Sequence, residues 1–542
     1  MAKKDYSNWS KEQLIKRIRQ LEKRKKYGLV WEEKPEEVVE MCKSKLPILK
    51  EVKSKEIITD KNKPVNLLIE GDNYHVLTVL NYTHAKKIDV IYIDPPYNTG
   101  NGDDFRYNDK IVDKEDPYKH SKWVSFMSIR VKLSKMLLKE TGLIFISIND
   151  AEVANLRLLC DEIFGEDKFV AQLVWKTRQN VDSRSLTGVS SDHEYILVYR
   201  KSNRAKLRGR EINKDKYSNP DGDPRGPWMS SPMDGVATKE RRPNLHFTIV
   251  NPNTGIKYEP SPETGWRFQR STVEQLIKAG RVIWPKNPRS KPRFKRYLNE
   301  LKSLYTGFSS IVETDFTSHG TKEVRDLLGR EAFKFPKPTT LISRLIEQSP
   351  SKDTVILDFF AGSGTTGHAV LELNKGDNGN RQFILCTNNE NNICTDVCYP
   401  RINKVIEGYK NARGKTIDGL GGNLKYFKTA FVDAEPTDKN KIKLTQQATE
   451  MLCIKEGTFE KVLNQNDFMI FKNNEHYTGI IFDQLAIPKF KKAIKDIKVK
   501  FSIYVFSLSD ETFGEEFEDV KQKVKLSPIP EAILRVYRRI FR

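Results

Sequence analysis

The sequence predicts an α/β protein with a mainly parallel sheet, an inserted domain in the middle of the chain and a small α+β domain at its end. Three observations lead to this prediction. Short β-rich runs alternate with helical segments, as in strands joined by crossover helices, and the alternation stops at about residue 200 and resumes near residue 332. Between these points Pro, Gly, Trp and Arg dominate and periodicity is weak. From about residue 433 the pattern changes again, to a second group of strand-like runs.

Composition narrows the functional class. The chain has 542 residues, enough for two to four domains at about 150 residues each. Lys and Arg total 93 against 72 Asp and Glu, a net charge of +21, so we expect a polyanion such as nucleic acid as partner. No apolar run reaches the roughly 18 residues of a membrane helix, no secretory signal precedes the polar start, and six cysteines are too few for a disulfide framework. We predict a cytoplasmic protein with no membrane association.

The N-terminal segment, residues 1–50, is predicted to be helical and basic. Ser10 and Gln13 have the spacing of a capping box, and apolar residues then recur at helical spacing toward the basic run 23–26. Such a helix either docks on the protein with a solvated basic end or contacts DNA directly.

Two halves of one α/β fold flank the insertion. The first half, residues 51–200, has predicted strands at 65–70, 88–93, 143–148, 170–175 and 195–199, with helices between 70 and 88, at 123–137 and at 152–164. The second half, residues 332–432, has predicted helices at 338–347 and 365–373 and strands at 354–357 and 382–386. The final segment, residues 433–542, has predicted strands at 468–471, 479–482 and 501–508 and ends in a basic helix.

The insertion, residues 201–331, contains the strongest candidate for DNA contact. Seven residues between 281 and 296 are Lys or Arg, interleaved with Trp284 and Phe294. Basic side chains neutralise phosphates and aromatic faces stack on bases, although a solvated surface loop has the same composition. The candidate DNA-binding residues are Lys291, Arg293, Lys295 and Arg296.

A glycine-rich turn follows the predicted strand at 354–357. The sequence 358–367 reads DFFAGSGTTG and opens a helix, so its glycines allow close backbone approach and the helix start offers unpaired N–H groups. Gly362, Gly364 and Gly367 also satisfy a dinucleotide fingerprint, with Glu390 after the next strand where a ribose-binding acid is expected. This turn alone therefore leaves NAD binding open beside other nucleotide-like cofactors.

A second loop, Asp94-Pro95-Pro96-Tyr97, follows the predicted strand at 88–93. Two prolines fix the backbone, which holds an acceptor side chain and an aromatic ring in place. Such a loop can grip a planar amine. Two weaker patterns carry no function: 414–416 reads GKT, but Tyr409 stands where a phosphate loop needs Gly, and the cysteines at 386, 394 and 398 match no zinc spacing, so no metal is predicted.

The two loops together resemble those of the amino-methyltransferases of DNA. In that family the glycine turn is FxGxG, matched by Phe360, Gly362 and Gly364, and the catalytic loop is [DNS]PP[YFW], matched by residues 94–97. The catalytic loop comes first and the insertion lies between the two, which is the order of the β group. The resemblance covers about residues 66–426. Segments 103–109, 120–130, 144–152 and 223–228 are most similar to Mod subunits, the modification and specificity subunits of type III restriction-modification systems.

The resemblance implies a Rossmann-like fold that binds S-adenosylmethionine and methylates adenine N6 in double-stranded DNA after flipping the base. It assigns catalysis to Asp94, Pro95, Pro96 and Tyr97, and target recognition to the insertion. Asp94 and the Pro95 carbonyl accept the N6 hydrogens and Tyr97 stacks on the base. It assigns cofactor binding to Asp72, Asp358, Phe360, Ala361, Gly362, Ser363, Gly364, Thr365, Glu390 and Lys337. Asp72 also fits a plain turn and Lys337 an ordinary helix start.

The resemblance also implies partners. A modification subunit is expected to dimerise and to act with a restriction (nuclease-helicase) subunit. An orphan adenine methyltransferase, a DNA-recognition module for such a nuclease and an NAD-dependent oxidoreductase are the alternatives. The last is disfavoured by the Asp-Pro-Pro-Tyr loop and the basic insertion.

Overall fold

The protein is described here by a computed structural model. It describes residues 9–15, 36–99, 118–183, 185, 188–287, 289–411, 413–497, 499–509, 511 and 513–541. The chain forms two compact units: a larger one up to Arg208 and from Ser309 onward, and a smaller one, Gly209–Phe308. The smaller unit is shorter than the predicted insertion, because the chain rejoins the main sheet soon after residue 308.

The strands are numbered along the chain. The larger unit begins with β1 (Lys45–Glu51), β2 (Ile57–Ile58), β3 (Val65–Glu70), β4 (Ile88–Ile93), β5 (Leu138–Ile148), β6 (Phe169–Lys176) and β7 (His193–Arg200). The smaller unit contains β8 (Arg210–Glu211), β9 (Trp228–Pro232), β10 (Ile249–Val250), β11 (Lys257–Tyr258), β12 (Val282–Ile283), β13 (Arg293–Tyr297) and β14 (Tyr305–Thr306). The larger unit continues with β15 (Ile311–Val312), β16 (Val355–Asp358), β17 (Gln382–Thr387), β18 (Gly408–Lys410), β19 (Thr416–Asp418), β20 (Asn423–Asp433), β21 (Glu460–Asn464), β22 (Phe468–Lys472), β23 (Tyr477–Ile481), β24 (Phe501–Phe506) and β25 (Val524–Ile529).

The helices are numbered in the same way. They are α1 (Glu37–Met41), α2 (Asn73–Thr83), α3 (Lys119–Leu137), α4 (Val153–Phe164), α5 (Arg270–Lys278), α6 (Thr317–Leu328), α7 (Thr339–Ile346), α8 (Thr365–Asp377), α9 (Tyr399–Glu407), α10 (Asp438–Gln447), α11 (Thr449–Glu456), α12 (Ile487–Ile494) and α13 (Glu531–Phe541). Residues 11–15 are also helical, and Ser10 and Gln13 exchange the two predicted capping hydrogen bonds. The basic run 23–26 lies outside the described residues, as does the segment 103–109.

The main sheet confirms the predicted α/β architecture. Its order is β1-β20-β3-β17-β16-β4-β5-β7-β6-β15, with β2 beside β20. The six strands from β20 to β5 are mutually parallel, whereas β1 and β7 run antiparallel to their neighbours. These central strands are buried over most of their length, as expected for a sheet covered by helices on both faces. The two halves predicted on either side of the insertion therefore form one sheet.

The C-terminal segment has its own five-stranded sheet, ordered β21 to β25. Its inner face packs around Phe468, Phe490 and Phe501. The segment is nevertheless continuous with the larger unit, because Tyr504 and Tyr537 belong to the same apolar core as the main sheet. The predicted α+β character is present, and the segment lies within the larger unit.

The smaller unit is irregular, as its composition predicts. A three-stranded antiparallel sheet, β12-β13-β9, supports it, and two-stranded pairs complete it. Its core contains Met233, Trp266 and Val273, with the Trp266 indole donating to the Phe247 carbonyl. Aromatic and aliphatic side chains together form the core of a unit that has little regular structure.

Candidate active site

Four neighbouring parallel strands, β3, β17, β16 and β4, end at one edge of the main sheet. The loops that follow them contain, respectively, Asp72, Glu390, the glycine turn 358–364 and Asp94. Ligands of open α/β sheets bind at the carboxyl ends of the strands, near the point where strand order reverses. The topology thus brings together residues more than 260 positions apart in the sequence.

The glycine turn connects β16 to α8. Gly362 and Gly364 have φ of 48° and 80°, a left-handed conformation that favours glycine. A Cβ on Gly364 would lie 3.1 Å from the Cys398 sulfur, so the position is tight as well as left-handed. Phe360 is buried at the start of the turn, and Ala361 donates its N–H to the Cys386 carbonyl. The turn is therefore fixed by its own backbone and by β17.

Asp358 stabilises this turn from inside. Its two carboxylate oxygens accept from the Phe360 N–H at 3.0 Å and from the Thr366 hydroxyl at 2.5 Å. Burial raises the pKa of Asp358 to about 7, against the opposing effect of the two hydrogen bonds, and the nearby Asp94 charge adds to the rise. Asp358 therefore braces the turn from within, and its predicted contact with the cofactor stays a prediction.

Arg401 is a second support for the turn, and no sequence pattern predicted it. Its guanidinium is completely buried and donates to the Ser363 and Thr365 hydroxyls at 3.1 and 2.8 Å. It also donates to Glu323 of α6 at 3.0 Å. Glu323 accepts in turn from the N–H and the hydroxyl of Thr339, two residues after Lys337. One buried ion pair therefore joins the glycine turn to the start of α7.

Asp72 lies at the start of α2 and acts as its cap. One carboxylate oxygen accepts from the Tyr74 N–H at 2.8 Å, and the other lies 3.8 Å from the buried guanidinium of Arg130. Arg130 also pairs with Glu36 and donates to Asn73. Asp72 thus has the turn role that the sequence allows, and its side chain is still about one third exposed at the edge of the sheet.

The loop after β17 offers acceptors for polar groups of a ligand. Glu390 begins a short 3-10 turn, Glu390–Asn392, and is partly exposed. Two residues before it, the Asn388 Oδ1 atom is buried and has no hydrogen-bond partner among the residues that the structure describes. An unpaired buried acceptor is costly, so a donor supplied by a ligand at this edge would stabilise it. These residues fit a cofactor with hydroxyl groups.

The catalytic loop shows the tightest cluster at this edge. Asp94 accepts from the Lys337 ammonium at 2.9 Å on each oxygen and lies 2.8 Å from the Tyr97 hydroxyl. The Tyr97 hydroxyl is also 2.9 Å from Glu194 Oε2 and 3.0 Å from Lys337 Nζ. Lys337 lies 3.2 Å from Glu194. Lys337 contacts the catalytic loop, and its predicted role at the cofactor stays a prediction. Glu194, at the start of β7, was not predicted.

The charges of this cluster are set by burial and by proximity. Burial by itself lowers the pKa of Lys337, but attraction to Asp94 and Glu194 and its hydrogen bonds outweigh this, so the pKa stands above its ordinary value. Burial, together with the neighbouring carboxylates Asp94 and Glu194, raises the pKa of Tyr97 well above its ordinary value. Lys337 is therefore a fixed cation and Tyr97 a neutral hydroxyl at neutral pH.

Residues of α3, and Glu152 directly before α4, hold the catalytic loop from the other side. The Trp123 indole donates to the Pro96 carbonyl at 2.7 Å, and Asn98, which has φ of 57°, donates to the fully buried Glu152. Glu152 also lies 2.7 Å from the His120 Nδ1 atom. The loop geometry thus depends on side chains 27 and 54 residues later in the chain than the loop residues they contact, which no local pattern reveals.

The four predicted DNA-binding residues differ in their surroundings within the smaller unit. Arg293 and Arg296 are exposed on β13, and Arg293 donates to Ser230 of β9. Lys291 is partly exposed and pairs with Asp234 at 3.2 Å. Lys295 is 9% exposed and pairs with Asp221 and Asp223, the pattern of a structural ion pair. It is therefore poorly placed for DNA contact, because its ammonium already serves two carboxylates.

Cys386, Cys394 and Cys398 are buried thiols beneath the turn, and burial raises the pKa of each. In the described part of the chain, no group of His, Cys, Asp and Glu side chains has the arrangement of a metal site. Nor is any helix among the described residues long and apolar enough to cross a membrane.

The sequence match to a family of known proteins agrees with this site. The family model for DNA methylases of the N6/N4 class matches residues 88–397, more than half of the chain. That span runs from the strand before the catalytic loop to the loop after β17. The chain belongs to the DNA methylase family. As a DNA methylase, it has both loops of the site inside the matched span.

Curated relatives of this DNA methylase fall into two groups. It is 37% identical over 371 residues to the StyLTI Mod subunit, a type III restriction-modification enzyme of Salmonella typhimurium. The aligned region covers 64% of this chain and 55% of that protein. It is 34% identical over 381 residues to the type II methyltransferase M.KpnI of Klebsiella pneumoniae, covering 67% and 88%. It is 33% identical over 390 residues to the EcoPI Mod subunit of Escherichia phage P1, covering 60% and 58%. The DNA methylase thus spans little more than half of these Mod subunits.

Proposed function

We propose that this DNA methylase transfers the methyl group of S-adenosylmethionine to adenine N6 in double-stranded DNA. The observation that carries the proposal is the juxtaposition of two loops: Asp94-Pro95-Pro96-Tyr97 after β4 and the glycine turn after the adjacent strand β16. The first provides acceptors and a ring for a planar amine. The second provides a left-handed backbone turn at a helix start.

The residues at the sheet edge suit this cofactor. The backbone of the turn 360–364, with Asp72 and Glu390 on either side, would hold its methionine, ribose and adenine portions, and the orphan acceptor on Asn388 fits a ribose hydroxyl. When bound, S-adenosylmethionine supplies an electrophilic methyl group on a positively charged sulfur. Asp358 and Arg401 keep the turn in place from below and do not need to contact the cofactor.

The catalytic loop acts on the base. The lone pair of an exocyclic amine is delocalised into the ring, so the amine is a weak nucleophile. Acceptors that hold both N–H bonds, the Asp94 carboxylate and the Pro95 carbonyl, localise the lone pair on nitrogen and aim it at the methyl group. Tyr97 provides an aromatic face for stacking. Positioning and electrostatics thus account for the catalysis.

The target amine lies inside a duplex, so the base must leave the stack before it can reach the sheet edge. Flipping costs a few kcal/mol, and stacking on an aromatic ring returns roughly 1 to 3 kcal/mol of it. The Asp at the first position of the loop favours adenine N6, as in the family it resembles. The net charge of +21 and the exposed Arg293 and Arg296 favour binding to the DNA backbone.

We also propose that the enzyme is a type III modification subunit that dimerises and acts with a restriction subunit. Its similarity to proteins named as Mod subunits supports this, at 37% and 33% identity. A stand-alone methyltransferase is the second candidate, because the chain covers 88% of the type II enzyme M.KpnI but only 55% and 58% of the Mod subunits. Recovery of a nuclease-helicase with the tagged protein from its native cell supports the first candidate, and its absence the second.

Methyl transfer in vitro tests the enzymatic proposal. Purified protein, S-adenosylmethionine labelled in the methyl group and genomic DNA of a strain without adenine methylation are mixed, and the modified nucleoside is identified by mass spectrometry. The proposal expects N6-methyladenine from the wild type and none from Asp94→Ala. Asp94→Ala should still bind the cofactor in calorimetry. Label on cytosine, or equal label with both proteins, would contradict the assignment.

A further inference from the structure

Glu194 has no role in the proposal so far, yet it is part of the catalytic cluster. It lies on β7, outside the catalytic loop and outside the glycine turn, and its Oε2 atom is 2.9 Å from the Tyr97 hydroxyl and 3.2 Å from the Lys337 ammonium. Its side chain is 21% exposed, whereas Lys337 is 7% exposed. Glu194 is thus a partly solvent-facing carboxylate that reaches Asp94 through one hydroxyl group.

The catalytic cluster has one hydrogen fewer than the two contacts of the Tyr97 oxygen with Asp94 and Glu194 require. The Tyr97 oxygen lies 2.8 Å from Asp94 Oδ1 and 2.9 Å from Glu194 Oε2, both hydrogen-bond distances. A hydroxyl has a single hydrogen and donates to one acceptor at a time. With both carboxylates ionised, one of the two contacts is a bare oxygen pair, which only the nearby Lys337 ammonium compensates. One additional proton would turn both contacts into hydrogen bonds.

Methyl transfer to an amine releases such a proton. As the N6 lone pair forms the new N–C bond, the S–C electron pair leaves with sulfur and positive charge grows on the nitrogen, so removal of one N6 hydrogen in the same step lowers the barrier. Asp94, predicted to hold an N6 hydrogen, is the nearest base. The Lys337 ammonium lies 2.9 Å from both Asp94 oxygens, so a hydrogen that stayed on either oxygen would displace one of these contacts. The proton must therefore move on.

We propose that Glu194 is the acceptor at which this proton leaves the site, reached from Asp94 through the Tyr97 hydroxyl. Asp94 takes the hydrogen of N6; the Tyr97 oxygen accepts it from Asp94 while the hydroxyl gives its own hydrogen to Glu194. Asp94 and Tyr97 return to their starting states, and the neutral Glu194 releases the proton to water. This inference rests on the proposed methyl transfer and adds the path by which the product amine becomes neutral.

Two features suit Tyr97 and Lys337 to these roles. The raised pKa of Tyr97, caused by burial and by the two carboxylates, keeps its hydroxyl neutral, so it passes a proton without holding or losing one. Lys337 remains charged between Asp94 and Glu194 and keeps the pair close together. If Glu194 only braced the cluster, it would make the same contacts. The test must therefore separate proton acceptance from bracing.

The test uses the full-length enzyme in single-turnover methylation, with Glu194→Ala and the isosteric Glu194→Gln. We expect the rate to fall about 10²-fold in both, the scale of general acid-base catalysis. Cofactor affinity by calorimetry and DNA affinity by anisotropy should stay within about twofold. Formate, a small carboxylate, should restore part of the Glu194→Ala rate with a saturable dependence on concentration. It should not restore Glu194→Gln, where the amide fills the space.

Two further variants complete the experiment. Asp150→Ala is the matched control, since Asp150 is an exposed carboxylate that accepts from Tyr195, the neighbour of Glu194, and its rate should be unchanged. Tyr97→Phe combined with Glu194→Gln should be no slower than the slower single variant, because both interrupt one path. A wild-type rate in Glu194→Gln, or a loss in Glu194→Ala that formate leaves unchanged, overturns the proposal. Failure of the proposed function is a different result: a wild type that transfers no methyl group to adenine.

Discussion

Replacing Arg401 by Met should weaken both the fold and cofactor binding, and the structure gives the size of each effect. Arg401 is completely buried and donates to the Ser363 and Thr365 hydroxyls of the glycine turn and to Glu323, whose side chain is 22% exposed. Removing one partner of a buried ion pair costs about 3 to 5 kcal/mol. Because Glu323 retains some access to water, we expect about 3 kcal/mol off the free energy of unfolding.

The effect on the cofactor is smaller and can be separated. The variant loses two charge-assisted hydrogen bonds to the turn. A loss of cofactor binding energy equal to one of them, about 1.5 kcal/mol, would make S-adenosylmethionine bind roughly tenfold more weakly. Arg381→Met is the matched control. Arg381 is also buried and pairs with a partly exposed acid, Asp377, but at the far end of α8. It should lose similar stability and keep its cofactor affinity.

Urea unfolding and titration calorimetry, run on both variants, give the two quantities. The reasoning is refuted if Arg401→Met keeps full cofactor affinity while losing stability, or if both variants weaken the cofactor equally. The first result would show that the turn does not depend on its buried arginine, and the second would show that any loss of stability affects the site.

Three further predictions concern the turn, the smaller unit and pH. Gly364→Val should weaken cofactor binding in calorimetry, since a β-branched residue disfavours φ of 80°, and unchanged affinity would remove the turn from the site. Replacing Arg293 and Arg296 by Ala should lower DNA affinity and reduce the slope of log affinity against log salt concentration by about 0.9 per phosphate contact. Lys295→Ala should mainly lower the unfolding temperature. An unchanged slope in the double variant would show that these β13 arginines do not contact DNA phosphates. The pKa of Asp358 is raised from 3.8 to about 7, so its contribution to stability is complete below pH 4 and is lost as the pH rises to about 7. Asp358→Asn should flatten the resulting decline in unfolding temperature with pH. An unchanged pH profile in this variant would refute the role given to Asp358.

The sequence predicted the parallel core of the fold because that core is encoded locally. Strands β3 and β4 have the predicted limits, 65–70 and 88–93, since their apolar β-branched runs are short and bounded by turn residues. Strand β1 at the edge of the sheet and its neighbour β20 were not predicted. Strand β20, Asn423–Asp433, alternates Lys, Thr and Asn with apolar residues, and its identity as a strand depends on pairing with β1 and β3.

The residues of the site also fall into a group that was predicted from the sequence and a group that was not. Residues in contiguous motifs, such as Asp94 and Gly364, were predicted because the loop needs them at fixed spacing. Glu194, Arg401 and Glu323 were missed, because each reaches the site from a separate element and only the folded chain brings them within 3.2 Å of their partners. Lys295 was included among the predicted DNA contacts because it lies in a basic run. The sequence of such a run does not show which of its members pairs with an acid, as Lys295 pairs with Asp223.

The proposed adenine methylation is best tested by sequencing DNA from cells that express this chain alone, with a method that reports modified bases. We predict N6-methyladenine at one defined sequence context in cells with the wild type, and its loss in cells with equal amounts of Asp94→Ala. N4-methylcytosine at that context, or no modified base at all in cells with folded wild-type protein, would contradict it.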